Sequence, residues 1–128
     1  MRAWVVLAGL NGMLAVGMGA YAAHGLAGDA YVQGLAERAS QYQLLHALAL
    51  LAADRLAAEG RRLAHGAAAL FLAGLLLFSG SLYWRALTGA ALPLPMITPA
   101  GGMAFMAGWL VLALVGARRG KVSLRGLS

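Results

Sequence analysis

The chain has 128 residues, 62% of them hydrophobic and only 11% charged, with no cysteine and a mean hydropathy of +0.76. Soluble domains are about half apolar and about a quarter charged, so this composition excludes an ordinary soluble fold, and the length admits one domain. The missing cysteines exclude disulfides, thiolate metal sites and thiol chemistry. A net charge of +6 would suggest nucleic acid in a soluble protein, but here the basic residues lie in short segments between apolar runs. No nucleic-acid partner is expected, and the charge is assigned to membrane orientation and anionic headgroups.

Four apolar segments follow one another, and a spanning helix needs about 20 such residues. The first, about 3–23, carries no charge. Arg2, the apolar run and Ala20-Tyr21-Ala22 imitate a secretory signal, but the run exceeds a usual signal core, so a retained helix is expected. The connection after it has two readings. Asp29 caps a short interfacial helix with Tyr31, Val32 and Leu35 on one face, or the same residues extend the second span outward. The second span, about 40–57, has a short charge-free core closed by Asp54 and Arg55. The third covers about 63–84 and contains LFSGSLYW (77–84). Pro93 and Pro95 interrupt helix in LPLP (92–95), after which Thr98 and Pro99 read as N-cap and first helical position of the fourth span, 99–117. A basic tail, 118–128, closes the chain, and Arg118, Arg119, Lys121 and Arg125 are its expected headgroup contacts.

These segments predict an all-α fold, an antiparallel four-helix bundle in the membrane. Alternate ends of the spans hold eight Lys and Arg residues (Arg2, Arg55, Arg61, Arg62, Arg118, Arg119, Lys121 and Arg125) against two, Arg38 and Arg85. The bias places both termini in the cytoplasm, and the Ala, Gly, Leu and Arg usage suggests a GC-rich bacterial genome.

Polar residues inside the spans are the candidate site. Asn11 is expected to bond to another helix. His24 beside Tyr21, Gln43 with His46, and Ser79 with Tyr83 are assigned to one outer layer, with Ser81 rotated away. Gly12, Ala15, Gly19 and Ala23, together with Gly80 and Gly108, are the expected close-packing positions. His65 is placed at the cytoplasmic headgroup boundary. Paired histidines invite a metal or redox site at His24 and His46, but no carboxylate joins them within the spans. No HExxH, Walker loop or GxSxG elbow is present, so no catalytic residue and no cofactor are expected.

Four blocks in order, GMGAYAAHGLAG (17–28), YQLLHALALL (42–51), LFSGSLY (77–83) and ITPAGGMAFMAGWLVL (97–112), resemble the domain of unknown function 423 family, small bacterial inner-membrane proteins with eukaryotic relatives. Matching positions are His24, Gly25, His46, the Ser79-Gly80-Ser81 triplet, Thr98, Pro99, Gly101 and Gly102. The first block reads Tyr-Ala-Ala-His where Phe-Gly-Ala-His is expected. The resemblance implies a four-helix membrane protein and brings no activity with it. The expected function is structural or accessory, with membrane lipids, further copies of the chain or a larger membrane complex as partners. The alternatives are a small transporter or channel with an outer polar vestibule, or metal or redox-cofactor binding.

Overall fold

A computed structural model describes residues 1–90, 93 and 96–118. It contains four helices: α1 (Ala3–Gly25), α2 (Ala30–Ala58), α3 (Leu63–Thr88) and α4 (Ile97–Ala117). No strand is present among the described residues. Three of the helices, α1, α3 and α4, are long and apolar enough to cross a membrane. The expected headgroup contacts Arg119, Lys121 and Arg125, and most of the LPLP stretch, lie outside the described residues.

The second helix takes the outward-extended form of the two readings. It is a single rod of 29 residues starting at Ala30, ten residues before the expected span. Asp29 caps it, its carboxylate accepting from the backbone N–H groups of Tyr31 and Val32 at 3.0 and 3.2 Å. The helix continues through Glu37 and Arg38 because Leu35, Ala36 and Ala39 bury their inner face against Ala22, Leu82 and Ala86. At 1.5 Å per residue, α2 is about 44 Å long, well beyond the roughly 30 Å of a hydrocarbon core.

The inward side of α1 carries Trp4, Ala8, Asn11, Ala15, Met18 and Ala22, buried or half-buried at alternating spacings of four and three. Seven residues bring a helix back to within about 20° of the same face, whereas eight rotate it by about 80°. For this reason the fully buried residue after Ala15 is Ala22, and the expected packing residue Ala23 is exposed. Ala15 is 1% exposed, and a Cβ on Gly19 would meet the Ser40 hydroxyl at 2.9 Å. A Cβ on Gly12, by contrast, would meet nothing within 4 Å.

Against α4, α3 packs by exchanging glycine for phenylalanine. Phe71 covers Gly108, Phe105 covers Gly74, and Phe78 covers Gly101, so the contacts climb one helix as they descend the other. A Cβ on Gly108 would meet the Phe71 ring at 2.7 Å, while Gly80 is exposed and leaves its outer side free. Between Leu75 and Ser79 the helix widens into one π turn, closed by the Gly80 N–H on the Leu75 carbonyl. Gly89, with φ of 75°, ends α3 in the left-handed conformation. The start of α4 also differs from expectation. The helix begins at Ile97 behind Met96 with no side-chain cap, and Thr98 uses its hydroxyl elsewhere. Pro99 still falls within the first turn, where its missing N–H has no intrahelical partner to lose.

One end of the molecule gathers charge. Arg2 pairs with Asp54, Trp4 donates from Nε1 to Nδ1 of His65 at 3.0 Å, and Arg61 donates to the Val115 carbonyl at 2.8 Å. These contacts draw together the start of α1, the end of α2, the start of α3 and the end of α4. Arg38 and Arg85 lie toward the opposite end, with Arg85 over the Tyr31 ring at 5.7 Å.

Candidate functional site

Three helices are stitched by a directional chain of hydrogen bonds. Tyr83 donates its hydroxyl to Oε1 of Gln43 at 2.7 Å, Gln43 donates from Nε2 to Oδ1 of Asn11 at 3.0 Å, and Asn11 donates from Nδ2 to the Leu7 carbonyl at 2.8 Å. Both amides therefore use a donor and an acceptor, which is what a buried amide requires. Ser40 donates to the Ala15 carbonyl at 2.7 Å and Ser79 to the Ala39 carbonyl at 3.1 Å. Ser81, turned away from these, gives its one proton to the Phe78 carbonyl at 2.9 Å, so the Thr98 hydroxyl at 2.5 Å is the donor to it. Among the described residues no buried side-chain nitrogen or oxygen lacks a partner.

The structure separates the two histidines that the sequence places in one layer. Asn11 meets Gln43, Ala15 meets Ser40 and Ala22 meets Gln33, so α1 and α2 run past each other in a fixed register. In that register His24 lies level with about Tyr31, some 22 Å along the axis from His46 at 1.5 Å per residue. His24 is exposed at the end of α1, and His46 is 4% exposed. They form no common ligand set. Among the described residues no group of three or more His, Cys, Asp or Glu side chains could hold a metal ion.

His46 instead anchors an aromatic cluster that the sequence reading missed. Its ring stacks on Phe105 with centroids 3.6 Å apart, and Phe71, Tyr42 and Trp109 surround it at 5.7 to 6.0 Å. All three phenylalanines of the chain lie in this cluster, since Phe78 packs on Tyr42 at 4.8 Å and on Phe105 at 5.7 Å. The spacings of seven for Phe71 and Phe78, and four for Phe105 and Trp109, were the available signal. Nδ1 of His46 lies 2.8 Å from the Tyr42 carbonyl, and Nε1 of Trp109 lies 3.1 Å from its Nε2. A carbonyl only accepts and an indole only donates, which fixes a neutral ring with its proton on Nδ1.

Beside this cluster an open groove of about 840 Å³ runs between α2 and α4. Its walls include Leu45, Leu48 and Ala52 on one side and Met103, Met106 and Trp109 on the other, with His46, Phe78 and Phe105 among its lining. None of His24, Gln43, Ser79, Ser81 or Tyr83 lines it. The arrangement suits an apolar guest with a flat part.

Comparison with known proteins gives the chain its relatives. The family model described as "Protein of unknown function (DUF423)" matches residues 18–102. UPF0382 membrane protein SERP0230 of Staphylococcus epidermidis is 42% identical over 117 residues, covering 89% of this chain and 94% of its own length. UPF0382 membrane protein YwdK of Bacillus subtilis is 40% identical over 121 residues, covering 89% and 95%, and a UPF0382 membrane protein of Haemophilus influenzae is 37% identical over 112 residues, covering 86% and 90%. No solved structure matches. Matched from Met18 through Gly102 and alike nearly end to end with proteins named for the membrane, the chain belongs to the DUF423 family of membrane proteins.

Proposed function

We propose that this membrane protein is a structural or accessory component of the bacterial inner membrane, not an enzyme, and that it holds a lipid chain or a comparably apolar molecule in the α2–α4 groove. It crosses the bilayer four times as an antiparallel bundle, with both termini in the cytoplasm. The observation that carries the binding role is the groove itself, apolar along its walls and open at the side of the molecule. Membrane lipids are accordingly the first partners, with the basic residues from Arg118 onward set against anionic headgroups.

A fourth span is supported by how α2 disposes of its polar residues. Ser40, Gln43 and His46 bond to neighbouring helices or to their own backbone, while Leu44, Leu45, Leu48 and Leu51 stay 41 to 57% exposed, an apolar surface suited to lipid. The gathering of Arg2, Arg55, Arg61, Arg62 and Arg118 near one end supports cytoplasmic termini. A fluorescent protein fused to the carboxy terminus is expected to glow in cells, and a periplasmic phosphatase fused there to be silent. The reverse pattern overturns the orientation.

A polar transport vestibule is the weaker reading, because Gln43, Ser79 and Tyr83 are spent on holding helices together and His24 lies exposed at the end of α1. For the binding role, protein purified in mild detergent is expected to carry co-purified lipid detectable by native mass spectrometry. Ala52→Trp combined with Met103→Trp fills the groove from both walls, away from the buried core, and is expected to lower lipid retention at least about fivefold. Retention equal to that of the parent protein, in a variant of unchanged thermal stability, overturns the groove as the site.

A further inference from the structure

We propose that the groove selects lipophilic molecules bearing a ring hydroxyl, of the quinol class, by seating that hydroxyl between Trp109 and His46; the inference rests on the groove being a ligand site. The reason lies in the hydrogen-bond roles of that pair. Nδ1 of His46 is committed to the Tyr42 carbonyl, so Nε2 is a bare acceptor, and its present donor is Nε1 of Trp109. Both residues line the groove, and Trp109 has 47% of its surface uncovered, so its indole can yield to a guest.

A group entering between them must replace both halves of the bond. A hydroxyl does so, donating its proton to Nε2 and accepting from the indole N–H. A quinone carbonyl accepts from Trp109 but leaves the 4% exposed His46 with an unpaired nitrogen, and an aryl ether has the same defect. An acyl chain offers neither role. The walls add a preference for a flat ring, because Phe105, Phe78 and Trp109 present aromatic surfaces beside the polar pair. The oxidised and reduced forms of one ring differ little in shape but differ in this hydrogen bond, so the site discriminates redox state without performing electron transfer.

The test uses the full chain in lipid nanodiscs and three probes: 2-methyl-1,4-naphthoquinone, its two-electron-reduced hydroquinone, and the dimethyl ether of that hydroquinone. The absence of cysteine lets dithionite hold the hydroquinone reduced without attacking the protein. Binding is measured by equilibrium dialysis and corrected for partition into empty nanodiscs. The hydroquinone is expected to bind at least about fivefold more tightly than the other two, the effect of one buried acceptor left unpaired. His46→Phe is expected to bring the three within about twofold, whereas Trp109→Phe keeps the hydroquinone preference because Nε2 still accepts. Equal binding of the three probes to the parent protein, or a preference that survives His46→Phe, overturns hydroxyl selection. Equal binding that Ala52→Trp with Met103→Trp abolishes overturns hydroxyl selection alone and upholds the groove; failure of the double tryptophan variant to reduce lipid retention is the separate result that removes the groove.

Discussion

Gly101→Ala is expected to destabilise the protein by about 2 kcal/mol, although alanine is the better helix former. The new methyl would meet the backbone nitrogen of Phe78, and its Cα and Cβ at 2.8 Å, so no side-chain rotation relieves the clash. Only separation of α3 from α4 does, and that loosens Phe105 over Gly74 and Phe71 over Gly108 in the same motion. Overpacking of this kind costs about 1–3 kcal/mol, here at the upper end because backbone is involved, and the gain in helix propensity offsets at most about 1 kcal/mol. Gly102→Ala is the internal control: its nearest neighbour would be the Phe78 ring at 4.0 Å, an ordinary contact. Thermal unfolding in detergent should therefore lower the midpoint for Gly101→Ala and leave Gly102→Ala at or above the parent value. Equal midpoints for the two variants would remove the α3–α4 seam as a principal source of stability.

The contrast between those two adjacent glycines marks what sequence can and cannot convey. Apolar runs place the four helices to within a few residues at most ends, because a charge-free stretch of spanning length is itself the signal of such a helix. The start of α2 stays ambiguous in the sequence because Glu37 and Arg38 look like an ending, yet both are exposed on a helix whose other face is held by Ala22, Leu82 and Ala86, and the outward extension is the reading that holds. That one extension shifts the axial register of α2 and carries His46 away from His24, undoing the single outer layer. Periodicity reports which face of a helix is buried; it carries no information on how far one helix slides along another. The serines fail to declare themselves for a different reason. Ser40 and Ser79 bond to main-chain carbonyls, and every residue has one. Asn11 and Gln43, by contrast, find each other's side chains, and Asn11 was legible as an interhelical contact from its depth alone.

Gln43 has the largest polar effect to test, because it is the middle link between Tyr83 and Asn11. Gln43→Leu preserves size and apolar fit but strips Tyr83 of its acceptor and Oδ1 of Asn11 of its donor. Each buried group left without a partner costs about 1–3 kcal/mol, while interhelical bonds in membranes fall nearer the lower value, so a loss of about 2 kcal/mol is expected. Tyr83→Phe and Asn11→Leu each remove one end of the chain and should cost less. The decisive comparison is the triple variant. With all three polar groups removed, no orphan remains, and stability should return most of the way to that of the parent, a strong non-additivity of the sort found within one hydrogen-bond network. Additive losses in the triple variant would mean that these residues act separately. The same variant bears on transport: since Gln43 and Tyr83 join helices and line no part of the α2–α4 groove, lipid retention there should persist once the network is gone.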